Sequence, residues 1–312
     1  MGSGGGTEWP KRPEELEKLV KDAISDEQRG KYATDLNSYL EDLLADINKR
    51  DPDIVNRHLD TIRDALSKEN EESITLLHGG SMKKHTYVDG LSDVDILAIV
   101  NNSALENESP QRVLEYFAER LRERLPKTTI TVGKLAVTVK FSDGTEVQVL
   151  PALTTKTGIR IASAEGTEWS NVVKPDKFAQ KITSVNQESG GRVVPVVKLY
   201  KVINSQLPEE AKLSGYHIES LAVNAFEDYE GSRSYKDMLQ HLAEYASNAV
   251  LHPIEDNTGQ SIHVDDKLGP ANSPERQGAS ASIKRIVTRM KSGDSEAQLD
   301  RWMQLMGDSP TP

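Results

Sequence analysis

Residues 79–95 read Gly-Gly-Ser-Met-Lys-Lys-His-Thr-Tyr-Val-Asp-Gly-Leu-Ser-Asp-Val-Asp, the densest run of reactive side-chain types in the chain. Asp93 and Asp95 stand one residue apart at the head of an aliphatic, β-branched run, Val94 to Val100, which reads as a buried strand. Side chains alternate across a strand, so both carboxylates would share one face with Cα atoms about 7 Å apart. Like charges so placed repel, and burying either without compensation is costly, which points to a bound cation or a solvated rim. Mg²⁺ suits the pair, with Mn²⁺ as its substitute, because a hard ion takes one or two carboxylates and completes its octahedron with water and substrate phosphate.

Gly79 and Gly80 let the backbone approach a ligand closely, and Ser81 opens a helix expected over Met82 to Tyr87, whose first amides face an anion. Gly-Gly-Ser alone is an ordinary turn, and Asp-x-Asp is common in solvated loops. Their order carries the argument: strand Ser73 to His78, glycine-serine turn, helix, then Ser-Asp-Val-Asp entering an apolar strand. Phosphate at Gly80-Ser81 and metal at Asp93/Asp95 describe a nucleoside triphosphate site.

The elements that must hold these residues follow from periodicity. Three helices are expected at 13–25, 27–50 and 52–68; the second carries Leu36, Leu40, Leu43, Leu44 and Ile47 on one stripe, the third Val55, Leu59, Ile62 and Leu66. Strands are expected at 73–78, 93–101, 128–132, 134–141 and 145–151, the last two joined by Ser142-Asp143-Gly144, with a helix at 109–125 between them in sequence. The fold class is therefore α+β: a mixed sheet with helices, followed after Gly190-Gly191 by a mainly helical part. Residues 252–279 read as a long ordered loop before a helix at 280–292. The expected organisation is a flexible linker over 1–10, helices and the sheet-bearing core over 11–190, and a helical domain over 191–312.

Gly80-Ser81 followed by Ser92-Asp93-Val94-Asp95 resembles the signature of the polymerase-β-like nucleotidyltransferases. Within them the chain is most similar to the bacterial cyclic-oligonucleotide synthases of anti-phage signalling, relatives of the animal cyclic GMP-AMP synthase. Gln148 to Ala152, Trp169 to Phe178, Val196 to Val202, Tyr216 to Phe226 and the Arg276/Trp302 region extend the likeness over about residues 70 to 307. The resemblance implies two lobes around a central cleft. It implies nucleoside triphosphate substrates, ATP among them, phosphodiester formation with loss of pyrophosphate, and members held quiet until a regulatory protein partner or infection cue engages them. It places Lys198 and Lys201 at the triphosphate and Tyr216 at the cleft, where an aromatic ring can stack on a base. Without it, the two lysines read equally well as a solvated helix face, and Tyr216 as a packing residue.

One position departs from the pattern. Where the family carries a third aspartate, three residues before the proline of Pro151-Ala152, this chain has Gln148, which has no charge and accepts no proton from an attacking hydroxyl. Glu146 lies two residues earlier on the same strand face and either substitutes from a displaced position or faces solvent near the 142–144 turn. Two other functions stay open at this level: an NTP-binding protein with a silent site, and nucleotide addition to an RNA end.

A chain of 312 residues can bury a sizeable core, and with no cysteine it has neither a disulfide framework nor a thiolate metal site. No apolar run approaches the roughly 20 residues that span a bilayer, and the glycine-rich start lacks the core of a secretion signal, so a cytoplasmic protein without a membrane partner is expected. A net charge of −11 argues against strong direct nucleic-acid binding, which needs a surplus of lysine and arginine.

Overall fold

The computed structural model describes residues 13–49, 52–67, 74–89, 91, 94–163, 165–256 and 263–308. The expected linker over 1–10, and Ser92 and Asp93, lie outside the described residues. In chain order the elements are α1 (Pro13–Asp46), α2 (Pro52–Leu66), β1 (Thr75–His78), α3 (Gly80–Lys83), β2 (Val94–Ile99), α4 (Pro110–Arg124), β3 (Thr129–Val132), β4 (Val137–Lys140), β5 (Glu146–Thr154) and β6 (Ile159–Ile161). There follow α5 (Pro175–Glu188), α6 (Val193–Ser205), α7 (Gly215–Phe226), α8 (Tyr235–Ala249), α9 (Pro274–Glu296) and α10 (Leu299–Met306).

The strands form one mixed sheet in the order β1-β2-β5-β4-β3, with β6 pairing β5. β2 and β5 run parallel, and the other pairs are antiparallel. Period-2 alternation sends Val94, Ile96, Val147 and Val149 to one face, where Leu59 and Ile62 of α2 and Val113, Phe117 and Leu121 of α4 cover them. α4 starts where Ser109 accepts a hydrogen bond from the Arg112 amide at 3.3 Å, with Pro110 in the first turn. The opposite sheet face carries Asp95 and Gln148 towards the helical half.

A second apolar cluster holds that half together. It joins Val196, Leu199 and Ile203 of α6, Leu221 and Phe226 of α7, Leu242 of α8, Ile283 and Met290 of α9 and Trp302 of α10. Leu36, Leu40 and Leu44 of α1 and Phe178, Ile182 and Val185 of α5 belong to the same cluster, although both helices precede the sequence boundary at 190.

Three expectations about elements change. α1 is one helix rather than two, because Ser25-Asp26-Glu27 contains neither proline nor glycine to stop it. α3 is a single turn ending at Lys83, not a helix to Tyr87, since His85 takes the left-handed conformation at φ 58° and redirects the chain. α9 begins at Pro274, well before 280: the Ser273 hydroxyl accepts from the Arg276 amide at 3.3 Å, and Gly278 is carried inside the helix. Among the described residues no helix is long and apolar enough to cross a membrane.

Candidate active site

Strand register assembles the site. In the antiparallel pair β1-β2, His78 stands opposite Ile96, so the next residue, Gly79, meets Asp95, and its amide donates to the Asp95 carbonyl at 2.8 Å. The glycine-serine turn is thereby laid across the head of β2. Gly80 has φ +46°, and a methyl group placed on it would fall 1.6 Å from Asp95 Oδ2. Glycine is required there because the carboxylate fills the space a side chain would need, and because left-handed backbone disfavours L residues. Ser81 is buried beside it, its carbonyl accepting from the Thr86 amide at 3.0 Å. Because α3 has one turn, it offers nearby amides but little summed dipole.

On the other side of β2, Asp95 is the register partner of Gln148. Both line a cleft of about 510 Å³, together with Gly80, Ser81, Lys84, Lys201 and Tyr216, so the sheet supplies one wall and α6 and α7 the other. A second pocket of about 270 Å³ shares Gly80, Lys84, Asp95 and Tyr216 and has an apolar floor of Leu97, Leu150, Ile159, Ile161 and Phe178. Glu146 lies outside both pockets and bonds Lys140 Nζ at 2.5 Å across the hairpin, at the solvent-facing end of its strand.

The lysines separate. Lys201 lines the cleft and is almost fully buried; it donates to the Thr86 carbonyl and to Glu219, each at 2.9 Å. Lys198 lines neither pocket, and its ammonium donates to Asn48 Oδ1 beyond the end of α1. Burial pulls both ammonium pKa values down; the Lys201 charge adds to the fall at Lys198, while Glu219, and more weakly Asp95, oppose it at Lys201. Tyr216 packs edge-on against Phe178 at 4.9 Å and donates its hydroxyl to Asp256 at 2.8 Å, so its ring is held at the cleft from two sides.

Sequence reasoning missed two neighbours. Lys84, which follows the turn, pairs with Glu219 and sits 5.2 and 5.4 Å from the Tyr216 and Phe178 ring centres. Glu219 went unnoticed, although one acid inside Ile218-Glu219-Ser220-Leu221-Ala222 was a signal: the lone acid of a largely apolar helix needs a partner once buried. Asp265, in the stretch expected to be a long loop, is fully buried; it accepts from Arg276 Nη1 at 2.7 Å and lies 3.4 Å from His217 Nε2. Burial alone would raise its pKa, but the Arg276 and Ile254 N–H donors outweigh that and hold it below the usual carboxylate range.

Comparison with known proteins fits this geometry. Residues 33–186, which include the sheet and the glycine-serine turn, match the family described as the Second Messenger Oligonucleotide or Dinucleotide Synthetase domain. A cyclic AMP-AMP-AMP synthase of an Acinetobacter species is 28% identical over 297 residues, covering 86% of this chain and 83% of that protein. Residues 33–186 form such a synthetase domain, and the chain around it is similar to the cGAS/DncV-like nucleotidyltransferases. Solved members share the fold. The CD-NTase CdnG of Bradyrhizobium diazoefficiens, in complex with GTP, superposes with a TM-score of 0.68 at 13% identity over 87% of this chain and 94% of that one. The Escherichia coli CdnC in its HORMA complex gives 0.63 at 19% identity, over 88% and 98%. This nucleotidyltransferase is thus an enzyme that makes second messengers, with its sheet and cleft in the polymerase-β-like arrangement.

A divalent ion fits the donors here. Asp95 and the Gln148 amide offer hard oxygen donors on one wall of the cleft. That is the setting Mg²⁺ favours, with few protein carboxylates and the remaining positions left to water and substrate.

Proposed function

We propose that this nucleotidyltransferase joins nucleoside triphosphates, ATP among them, into a cyclic oligonucleotide used in anti-phage signalling. The observation that carries the reading is the packing of Asp95 against Gly80 at the head of a cleft whose rim holds Ser81, Lys84 and Lys201. An acid, a phosphate-sized turn and two cations meet at one point. The similarity to a synthase of cyclic AMP-AMP-AMP supports adenylate products, and its reach across most of both chains favours turnover over silent binding.

In this reading the polar cleft takes the triphosphate and the adjoining apolar pocket, which shares Asp95 and Tyr216 with it, takes a base. Ser81 and the adjacent backbone hold the terminal phosphates, Lys84 and Lys201 balance their charge, and Tyr216 stacks on a base. Mg²⁺ held by Asp93 and Asp95 would supply charge neutralisation of the triphosphate. The 3′ or 2′ hydroxyl of a second nucleotide attacks the α-phosphorus, the bond to pyrophosphate breaks, and the hydroxyl proton leaves. Gln148 cannot take that proton, so it passes to water or an aspartate. Positioning and charge stabilisation account for most of such catalysis. The HORMA-bound relative is consistent with control of the synthase by a protein partner.

The test is incubation with all four radiolabelled NTPs and Mg²⁺ or Mn²⁺. Phosphatase-resistant product that disappears in the Asp93→Asn/Asp95→Asn variant is the expected result. NTP binding without product would instead mark a silent site, and dependence on added RNA an end-modifying enzyme.

A further inference from the structure

The wall of the cleft opposite Asp95 contains a charge that the reaction scheme leaves unused. Glu219, in the middle of α7, is 1% exposed. Its Oε1 accepts from Lys201 Nζ at 2.9 Å and from the Thr86 hydroxyl, and its Oε2 pairs with Lys84. Lys84 and Thr86 belong to the segment that follows the glycine-serine turn, whereas Lys201 and Glu219 come from α6 and α7. Lys201 also donates to the Thr86 carbonyl at 2.9 Å, so one buried cluster ties the phosphate-side turn to the helical half.

A carboxylate in such a place is expensive unless cations offset it, and two ammoniums this close to one another need an anion between them. Each explains the presence of the other. The arrangement also ties the cations together: Lys84, Lys201 and Glu219 all line the cleft, and both lysines bond to this one carboxylate.

We infer that Glu219 is a positioning residue for substrate binding: one buried carboxylate that aims a lysine from each half at the triphosphate and locks the turn carrying Ser81 to α7. This rests on the proposed NTP site and adds to it the group that organises its cations. Burial lowers the Lys201 pKa and Glu219 is the main influence opposing the fall, so the carboxylate also keeps this lysine charged. The Glu219 carboxyl is itself held below its ordinary value: burial would raise it, and the two lysines outweigh burial.

The experiment uses the full chain and measures equilibrium binding of ATP with Mg²⁺ from pH 6 to 10, beside the thermal midpoint of each variant. Glu219→Gln keeps the size but removes the charge and turns one of the two acceptor oxygens into an N–H donor, so the amide can no longer accept from both lysines. It is expected to weaken ATP binding at least about tenfold and to move the alkaline fall-off in affinity to lower pH by about one unit, because Lys201 then loses its proton sooner. Glu219→Asp keeps the charge one methylene short of both lysines; about threefold weaker binding with the parent fall-off is expected. A purely structural role would lower the thermal midpoint and leave affinity and pH profile unchanged, and a folded Glu219→Gln variant behaving so overturns the inference. If Glu219→Gln does not fold, Glu219→Asp decides, parent-like affinity overturning the inference. A parent chain that binds no ATP overturns the functional reading and this inference with it.

Discussion

Oδ2 of Asp95 occupies the place that a side chain on residue 80 would need, so that a Cβ on Gly80 would lie 1.6 Å from it. The acid that holds charge and the turn that holds phosphate are therefore one packed unit rather than two neighbouring motifs.

Gly80→Ala should break that unit. The new methyl group must displace the Asp95 carboxylate, and the left-handed backbone adds strain of about 1–2 kcal/mol. A displacement of about 1 Å at a reacting group costs on the order of 100-fold in rate, so product formation should fall by at least that much in a radiolabelled NTP assay while circular dichroism still reports a folded chain. Activity within about threefold of the parent would mean that the Asp95–Gly80 contact does not set the chemistry.

Gln148→Asp should change the metal requirement. The residue pairs in register with Asp95 on the same sheet face, so a carboxylate there places a second negative charge at the cleft head. Without metal the like charges repel, and the thermal midpoint should drop, by about 1 kcal/mol of stability or less. With Mg²⁺ the same charge binds the ion, and the concentration giving half-maximal activity should fall severalfold. An unchanged Mg²⁺ titration would show that position 148 takes no part in holding the ion.

Arg276 clamps the segment that ends near Tyr216. Itself at zero exposure, it donates to Asp265 at 2.7 Å, to the carbonyls of Val250 and His252 at 3.0 Å each, and to the Gly269 carbonyl at 2.9 Å. Arg276→Met leaves the Asp265 carboxylate buried without its main partner, and a loss of about 3–5 kcal/mol is expected in urea unfolding. Adding Asp265→Asn in the same chain should recover part of the loss. A strictly additive double variant would refute the pairing as the source of stability.

His217 makes stability depend on pH. It is fully buried, and burial pushes its pKa down from 6.5 to about 4, with Asp265 opposing the fall and Arg276 adding to it. The ring is neutral in the folded protein, while the unfolded chain takes a proton below the ordinary value. The unfolded state binds more protons between those two values, so this contribution is complete above pH 6.5 and is lost as pH falls towards 4. Its size is on the order of 3 kcal/mol. His217→Leu should flatten the stability curve over that window in urea titrations, whereas a slope equal to the parent's would place the effect elsewhere.

Much of the site could be read from local pattern. Alternation along Val94 to Ile99 assigns Asp95 to the face opposite Val94 and Ile96, and the sheet shows that split. The glycine-serine turn sat where expected because β1 must end before the chain can turn back. Element ends were less legible, since they depend on single residues. Gly278 looked like a loop signal yet sits within α9, where Ser273 and Pro274 had already started the helix. His85 cut α3 to one turn through a backbone conformation that its residue type does not announce.

What the amino-acid order determined was the chemistry within short reach: an acid beside a glycine-serine turn, an apolar strand to carry it, and an uncharged Gln148 in the third-acid position. Tertiary structure decided which distant charges join. Lys198 and Lys201 are indistinguishable by spacing, yet one reaches Glu219 in the cleft wall and the other Asn48, because a three-residue step rotates a helix by about 60° and the neighbours of α6 differ on each side. Thr86 meets Glu219 across 133 residues of chain. No local periodicity encodes that meeting: it exists because two separately packed apolar clusters bring the turn and α7 face to face, and a buried charge must then find its counter-ions there.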